Sequence, residues 1–430
     1  MLRITPQDRQ RLQQLPREEL ERHQLARLNE LLHEILPNNR FYGEKLARVD
    51  CIPLTSHADL AQLPFTFKEE LVAGAPGGEP AVNLTYPLDR YVRYHQTSGT
   101  RGRPLAVLDT ALDWQWWLDC WQFVFDAAEI GPEDRAVLAF SFGPFIGFWS
   151  AHDAASARGA MVIPTGGMNT LARVELIRRT RATTLFCTPS YALRLAEIAQ
   201  ENRIDTAGLD VRRIIVAGEP GGSIPALRRR IESAWNAQVI DHAGASEIGP
   251  WGFGDKEGRG LYVLETEFLA EYHSLATGAA AEDGELAELV LTSLGRFGSP
   301  VIRYRTGDIV RPRYQNGETR FTLLEGGVLG RADDMLVVRG VNIFPSSVEQ
   351  ILRAFPEVVE YRAIVLKQGS LDGLFIEIED RLSAPERVAL ELNLRLGLKV
   401  EVRSVPLGSL PRFEGKGKRF HDQRQTSYQI

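Results

Sequence analysis

Apolar runs alternate with amphipathic stretches along the chain between about residue 88 and residue 240. The apolar runs are short, which is typical of buried strands, and lie at 136–140, 160–164, 183–187 and 213–218. The stretches that repeat apolar positions at helical spacing lie at 170–180, 190–201 and 223–235. Ser223 is a candidate N-cap for the last of these helices. Strands that alternate with helices predict a mainly parallel sheet covered on both faces.

The pattern changes after residue 255 and again in the last hundred residues. Strand-like alternation at 261–272 and 286–294, with a turn signal at 282–284, predicts a β-rich lobe. Further on, short alternating strands and two helical stretches at 347–354 and 385–396 are enough for a small α+β unit. We therefore predict an α/β fold with a large domain over 1–330, which holds mainly parallel sheets and a β-rich lobe. A small α+β domain follows over 331–430.

Composition narrows the class of protein without naming a function. The 430 residues suggest about two or three domains, and a net charge of −6 gives no electrostatic reason to expect nucleic acid or an anionic membrane as partner. No apolar stretch approaches the ~20 residues of a transmembrane helix, and the N-terminus lacks the apolar region of a signal peptide. Three widely spaced cysteines make a disulfide framework unexpected, so a cytoplasmic location is the simplest expectation.

A glycine-rich segment at 97–105 is the first candidate for chemistry. It carries hydroxyl side chains beside glycines, in the order Thr97, Ser98, Gly99, Thr100, Arg101 and Gly102. Such a segment can wrap a polyphosphate with backbone N–H groups and hydroxyls, because glycine lets the backbone come close to the anion. The Walker pattern is absent, since no Lys-Ser/Thr pair follows Gly102, which disfavours a P-loop ATPase. Taken alone, the segment fits an ordinary polar turn equally well.

Two acidic segments follow predicted strands. The first runs from Asp241 through His242 to Glu247, and a carboxylate beyond the carboxyl end of a strand is a natural Mg²⁺ ligand. The second contains Thr306-Gly307-Asp308, where the carboxylate of Asp308 could accept both hydroxyls of a ribose. A solvated turn and a hairpin turn, respectively, explain these segments in isolation.

Two more segments lie toward the C-terminus. Residues 330–334, followed by polar and glycine positions up to Glu349, fit an interdomain hinge. Residues 410–418 place Lys416 between two glycines, where its ammonium could reach a developing negative charge. A solvated basic tail is the alternative for the second segment.

Together and in this order, the five segments resemble the acyl-adenylating superfamily of acyl- and aryl-CoA synthetases, luciferases and peptide-synthetase adenylation domains. The chain is most similar to the phenylacetate–CoA ligase family, whose blocks resemble residues 63–71, 186–197, 302–308 and 330–349. The resemblance implies two half-reactions. A carboxylate first attacks the α-phosphate of ATP, which gives an acyl-adenylate and pyrophosphate. A thiol, usually that of coenzyme A, then displaces AMP.

The resemblance also implies roles for individual residues. The phosphates of ATP would contact Thr97, Ser98, Gly99, Thr100 and Gly102. Glu247 would bind Mg²⁺, with Thr100 as a second candidate ligand. The adenosine would be bordered by Gly218, Glu219 and Pro220, with Asp241 and His242 as further nucleotide-binding candidates. Asp308 would hold the ribose hydroxyls, with Arg331 nearby. Asp333 would be the hinge of a mobile C-terminal domain, whose Lys416 would bridge the carboxylate and the α-phosphate.

The acid is expected to be aryl or arylacetic, because the resemblance places its pocket between the 140s segment and the glutamate loop. Phe142 and Phe148 would form an aromatic wall opposite small residues, which are Ala243, Gly244 and Ala245. Family members usually carry at position 243 a ring that stacks on adenine, so what covers the adenine here stays open. Some relatives carry a cysteine and a histidine downstream of the glutamate loop, and residues 255–265 of this chain contain neither, so no zinc is expected.

Alternatives remain open at this point. The acceptor thiol could belong to a carrier-protein phosphopantetheine instead of coenzyme A, because the thiol chemistry is the same. A non-catalytic nucleotide-binding relative is a second alternative, since Arg101 and Ala243 depart from the family pattern. A homodimer is suggested by the resemblance alone.

Overall fold

The computed structural model describes residues 4–72, 78–97, 104–140, 143–314, 317, 319–339, 341–368, 371–413 and 419–424. Its α-helices, in chain order, are α1 Pro6–Gln13, α2 Arg17–Ile35, α3 Arg40–Lys45, α4 Lys68–Val72, α5 Ala111–Ala127, α6 Ile146–Arg158, α7 Thr170–Thr180, α8 Pro189–Glu201, α9 Pro225–Trp235, α10 Pro345–Arg353 and α11 Pro385–Leu396. None of these described helices is long and apolar enough to cross a membrane.

The first fourteen strands are β1 Tyr91–Gln96, β2 Ala106–Thr110, β3 Arg135–Leu138, β4 Met161–Pro164, β5 Thr184–Cys187, β6 Arg213–Val216, β7 Gln238–Ala245, β8 Gly249–Gly254, β9 Gly260–Val263, β10 Phe268–Ser274, β11 Ala287–Ser293, β12 Tyr304–Val310, β13 Pro312–Arg313 and β14 Leu323–Glu325. The remaining strands are β15 Gly330–Arg331, β16 Leu336–Val338, β17 Val341–Ile343, β18 Val358–Gln368, β19 Leu371–Asp380, β20 Val400–Ser404 and β21 Phe420–Asp422.

A nine-stranded sheet forms the centre of the large part of the chain, in the order β13-β14-β9-β8-β7-β6-β5-β3-β4. Strands β4, β3, β5, β6 and β7 run parallel. In the rest of this sheet, β8, β9, β14 and β13 pair antiparallel with their neighbours. Every residue of β5 is buried, as expected for a parallel strand covered on both faces. A separate antiparallel sheet, β10-β11-β12-β15, forms the β-rich lobe.

Helix α5 connects the sheet to the rest of the core. Thr110 and Asp113 form a capping box that begins the helix. The helix then buries four tryptophan side chains, which are Trp114, Trp116, Trp117 and Trp121. Aromatic side chains bury large apolar areas, so this one helix supplies much of the apolar surface of the central core.

The last strands form a smaller α+β unit with a core of its own. Its sheet has the order β20-β19-β18-β21, and α10 and α11 contribute side chains to its separate apolar cluster. The unit packs on the large part of the chain. Arg230 on α9 donates a hydrogen bond from Nη1 to the Val358 carbonyl at 3.3 Å, and the Ser346 hydroxyl donates to the Leu329 carbonyl. The predicted fold class is confirmed: a large part with a parallel-rich sheet and a β-rich lobe, followed by a small α+β unit.

The predicted N-cap at Ser223 is wrong. Helix α9 begins at Pro225, which is preorganised for the first helical position, and Ile224 therefore occupies the N-cap. Ser223 lies one residue too early, and its hydroxyl donates instead to Asp241 Oδ2 at 2.6 Å. A tertiary hydrogen bond thus takes the place of the local one.

The contact of Gly260 with β14 gives a testable prediction about the sheet. A Cβ at this position would lie 1.9 Å from the Leu324 carbonyl oxygen, which is a backbone atom that cannot move aside. We expect Gly260→Ala to lower the free energy of unfolding by about 2–3 kcal/mol, measured by urea denaturation. The matched control is Gly147→Ala in α6, where a Cβ would meet nothing within 4 Å. Alanine should stabilise that helix by about 0.5–1 kcal/mol. Equal stability of the two variants would contradict the close approach.

Candidate active site

Several predicted segments meet at the carboxyl ends of the parallel strands. Val216, the last residue of β6, pairs with Asp241 on β7, so the segment 218–220 and the end of β7 emerge side by side. The start of the glycine-rich segment lies along the same edge, because Gln96 N–H donates to the Pro144 carbonyl beyond β3 at 2.7 Å. In an α/β sheet this edge is where ligands bind.

Glu247 is a buried carboxylate between β7 and β8 that contacts two distant parts of the chain. The Tyr304 hydroxyl on β12 donates to its Oε1 at 2.8 Å. The ammonium nitrogen of Lys68, at the start of α4, lies 3.5 Å from the same oxygen. Burial and the charge of Glu247 raise the pKa of Tyr304, so this hydroxyl remains a donor at neutral pH. Sequence reasoning missed Lys68, although it lies in the segment 63–71 that carries the family resemblance.

Asp308 lies on the same strand as Tyr304, four residues further on. Its own N–H donates to Thr306 Oγ1 at 2.9 Å, and Arg331 Nη1 donates to its Oδ1 at 3.0 Å. Asp308 pairs with Arg331 in the register of β12 with β15, so the antiparallel ladder aligns the two side chains. The register of β12 with β11 shifts between Arg305 and Ile309, so strand alternation does not relate Tyr304 to Asp308. The charges of Asp308 and Arg331 both act on the pKa of Tyr304, which places the three groups near one another.

The structure directs Asp241 and His242, which are adjacent on β7, to opposite faces of the strand. Asp241 accepts hydrogen bonds from the Ser223 hydroxyl and from the His242 N–H, at 2.6 and 3.0 Å. Burial raises its pKa to about 6, against the lowering effect of these hydrogen bonds. The His242 ring packs 4.1 Å from the Trp121 ring, and its Nδ1 lies 2.8 Å from the Gly252 carbonyl oxygen. Burial lowers the pKa of His242 to about 4, so the ring is neutral at pH 7.

The segment from Gly218 to Pro220 lies between the sheet and the small C-terminal unit. The Glu219 carboxylate accepts a hydrogen bond from the Ser190 N–H, in the first turn of α8, at 2.8 Å. Burial and the nearby charge of Glu349 on α10 raise the pKa of Glu219, and Arg419 opposes that rise. The segment 218–220, which is predicted to border the adenosine, therefore lies near the C-terminal unit.

Six predicted site residues lie outside the described residues: Ser98, Gly99, Thr100, Gly102, Phe142 and Lys416. Both flanks of the Lys416 segment are described. Arg412 pairs with Glu379 on β19 at 2.6 Å, and Arg419 pairs with Glu360 on β18 at 2.7 Å. The backbone of Asp333 belongs to a short 3₁₀ helix, Ala332–Asp334, between β15 and β16.

The described residues among those predicted to line the acid pocket lie on α6 and at the end of β7. Phe148 on α6 is buried and packs edge-to-face against Phe140, with ring centroids 4.2 Å apart. Ala243 and Ala245, which lie on either side of the exposed Gly244 at the end of β7, are half-buried against the same apolar cluster. Aromatic and small side chains from this end of the sheet thus pack against one apolar cluster.

The donor set at Glu247 fits Mg²⁺. This ion prefers hard oxygen ligands and is usually bound by one or two carboxylates, with water and phosphate oxygens completing its shell. A single carboxylate at the sheet edge where α/β proteins bind ligands meets that requirement. Within the described ranges, no three His, Cys, Asp or Glu side chains cluster to form a metal site, and magnesium bound with phosphates does not need such a cluster.

Comparisons with known proteins agree with this geometry. The family model of the AMP-binding enzyme C-terminal domain matches residues 340–424. The phenylacetate–coenzyme A ligase of Pseudomonas putida is 33% identical over 95% of this chain and 95% of its own. A crystal structure of 2-hydroxyisobutyryl-CoA ligase in the postadenylation state, 24% identical, superposes with a TM-score of 0.91 over 98% of this chain and 94% of that one. The same enzyme in the thioesterification state is 25% identical and gives a TM-score of 0.72, over 97% and 92%.

The buried carboxyl of Asp241 predicts a specific pH dependence of stability. Its pKa is about 6 in the folded protein against an ordinary value of 3.8, so between these pH values the folded state holds a proton that the unfolded state has lost. Stability therefore falls as the pH rises through this window, by about 3 kcal/mol in total. Asp241→Asn removes this pH-dependent contribution to the stability.

Urea unfolding at pH 4.5 and at pH 7.5 measures the effect. The stability of Asp241→Asn relative to the wild type should be about 2–3 kcal/mol more favourable at the higher pH. The exposed Asp50 supplies a control variant, Asp50→Asn, whose relative stability should stay within about 0.5 kcal/mol between the two conditions. A constant difference for Asp241→Asn would mean that its carboxyl titrates normally.

Proposed function

Because the chain belongs to the phenylacetate–coenzyme A ligase family, we propose that it activates a carboxylic acid with ATP and transfers the acyl group to coenzyme A. The products of the whole reaction are an acyl-CoA thioester, AMP and pyrophosphate. The observation that carries the proposal is the contact of Tyr304 and Lys68 with Glu247, at the strand edge where a nucleotide would bind.

In the first half-reaction, a carboxylate oxygen of the acid attacks the α-phosphorus of ATP and the bond to pyrophosphate breaks. The residues Thr97 to Gly102 would hold the β- and γ-phosphates, and Asp308 would hold the ribose hydroxyls. Glu247 would hold Mg²⁺, which when bound neutralises charge on the phosphate oxygens. Lys68 adds a permanent positive charge beside that carboxylate, and Lys416 would bridge the acid and the α-phosphate. Such transfers depend on positioning and charge neutralisation more than on covalent catalysis.

In the second half-reaction, the thiol sulfur of coenzyme A attacks the acyl carbon and the bond to AMP breaks. The thiol proton leaves to solvent, and AMP departs with the electron pair of the broken bond. We propose that residues 331–430 form a mobile domain that turns about Asp333 between the two steps. The TM-score is 0.91 with the postadenylation state and 0.72 with the thioesterification state of one related enzyme, and this difference in conformation between the two states supports the proposal. Glu219 and Glu349 would then lie close together only in the domain position that serves adenylate formation.

We propose an aryl or arylacetic acid as the substrate. Support comes from the Phe140–Phe148 pair, from Ala243 and Ala245, which pack against the same apolar cluster, and from the similarity to phenylacetate–coenzyme A ligases. A cytoplasmic location and coenzyme A as the acceptor complete the proposal. Transfer to a carrier-protein phosphopantetheine is an alternative that the screen below can detect. A homodimeric state is a further proposal.

A pyrophosphate-release screen tests the proposal directly. Aryl, arylacetic and short aliphatic acids are compared at equal concentration with ATP, Mg²⁺ and coenzyme A. We expect aromatic acids to be preferred, and Glu247→Ala to abolish release with every acid. Replacing coenzyme A by candidate carrier proteins identifies the acceptor. Silence of the wild-type enzyme with all acids would contradict the catalytic proposal.

The role of Lys416 predicts different effects on the two half-reactions. Lys416→Ala should lower the rate of adenylate formation by about 10²–10³, which is typical for the loss of one preorganised charge-stabilising group. Thioester formation from synthetic acyl-adenylate and coenzyme A should change little, because the α-phosphate has already reacted. The matched control is Lys418→Ala, two residues away in the same segment, which should leave both rates near those of the wild type. Equal losses in both half-reactions would reject the assignment.

A further inference from the structure

A fully buried arginine connects two segments that the proposed function brings to the same nucleotide. Arg296 is 0% exposed, and its Nε donates to Oδ1 of the equally buried Asp109 at 2.8 Å. From the same guanidinium, Nη1 donates to the Ser246 carbonyl oxygen at 2.8 Å. That carbonyl belongs to the peptide group whose nitrogen is that of Glu247. Because the peptide group is planar and rigid, a bond to its oxygen also restrains the start of Glu247.

Asp109 extends the connection to the glycine-rich segment. It lies on β2, which pairs with β1, and the segment from Thr97 to Leu105 joins these two strands. The N–H of Thr97 donates to the Leu105 carbonyl at 2.9 Å, so the base of this hairpin is closed. One guanidinium therefore contacts the strand that leads out of the proposed phosphate segment and the loop that carries the proposed metal ligand.

The segment that carries Arg296 is itself held in place. Asp113, in the first turn of α5, accepts hydrogen bonds from the N–H groups of Phe297 and Gly298 at 2.8 and 3.2 Å. The Ser299 hydroxyl donates to the Leu108 carbonyl on β2 at 2.6 Å. The guanidinium also lies over the Trp117 ring, 5.5 Å from its centroid. Its direction is therefore determined from several sides, as precise positioning requires.

The energetics separate positioning from simple stabilisation. Removing two charges from water is costly, and well-packed apolar side chains of similar volume are often as stable as a buried ion pair. The stability of the core therefore does not require an ion pair here. The fork of the guanidinium, in contrast, offers donors in fixed directions to two partners at once, which neither lysine nor an apolar side chain can do.

We propose that Arg296 is a positioning residue that fixes the Glu247 loop relative to the hairpin of the glycine-rich segment, so that metal ligand and phosphate contacts are correctly spaced for adenylate formation. The inference rests on the proposed function for its catalytic consequence. Its structural part, the restraint on residues 246–248, stands independently of any activity.

Hydrogen–deuterium exchange of the free enzyme tests the structural part. The Ile248 N–H donates to the Ala245 carbonyl at 3.1 Å, so its exchange reports on opening of the loop. In Arg296→Lys, which keeps a charge beside Asp109 but loses the second arm of the fork, we expect exchange of Ile248 to rise about tenfold. Arg9→Met is the matched control. Arg9 is also buried and pairs with Asp126 at 2.6 Å, at the far end of α5. It should leave the exchange of the loop unchanged.

The half-reactions test the catalytic part with the same variants. Arg296→Lys should slow adenylate formation about 10- to 100-fold, because a small misplacement of a group that binds the reactants has effects of this size. Thioester formation from synthetic acyl-adenylate should stay within about twofold of the wild type. Arg9→Met should leave the ratio of the two rates unchanged, whatever it does to the melting temperature.

The outcomes are distinguishable. Unchanged loop exchange and an unchanged ratio of rates in a folded Arg296→Lys variant would overturn the inference and leave a merely structural ion pair. The double variant Asp109→Leu with Arg296→Met, which removes both charges, should fold and show the same selective loss. Retention of full adenylation by that variant would also overturn it. If the wild type makes no adenylate with any acid, the proposed function fails, while the exchange experiment still decides whether Arg296 restrains the loop.

Discussion

The inner parallel strands of the central sheet, β3, β5 and β6, are almost entirely buried, and this burial dictates where polar chemistry can occur. Strands β5 and β6 carry almost only apolar side chains, and their peptide groups are paired within the sheet. Charged side chains must therefore emerge at the strand ends, where backbone leaves the ladder and water or a ligand can reach it. The segments after β6 and β7 and the start of the glycine-rich segment all emerge along this edge. The β-rich lobe then brings Tyr304 to Glu247 from outside the sheet.

Local patterns in the sequence were enough to predict the parallel strands β3 to β6 and several of the helices. The helix predicted at 385–396 has those bounds in the structure, and the strands predicted at 136–140 and 183–187 are present as β3 and β5, with slightly shorter bounds. The N-cap prediction at Ser223 was wrong because its hydroxyl donates instead to Asp241, which is distant in sequence. A local rule cannot anticipate a competing tertiary contact.

The candidate site was predictable as a set of segments, but its contacts were not. Lys68 lies 179 positions before Glu247, and Arg296 lies 187 positions after Asp109, so no spacing rule connects either pair. Charged residues are also usually exposed, and a fully buried arginine looks like any other arginine in the sequence. The roles proposed for Lys416, Asp333 and the glycine-rich residues follow from the family resemblance.

The arrangement of β12 has a consequence for how this protein could diversify. Tyr304 and Asp308 lie four residues apart on one strand, so a single element carries contacts proposed for the metal ligand and for the sugar. The proposed acid pocket takes its walls from α6 and β7 instead. Exchanging the pocket side chains on those two elements would alter which acid fits while leaving the proposed ATP contacts on β12 unchanged. This separation lets the range of accepted acids change during evolution while the ATP-dependent activation is kept.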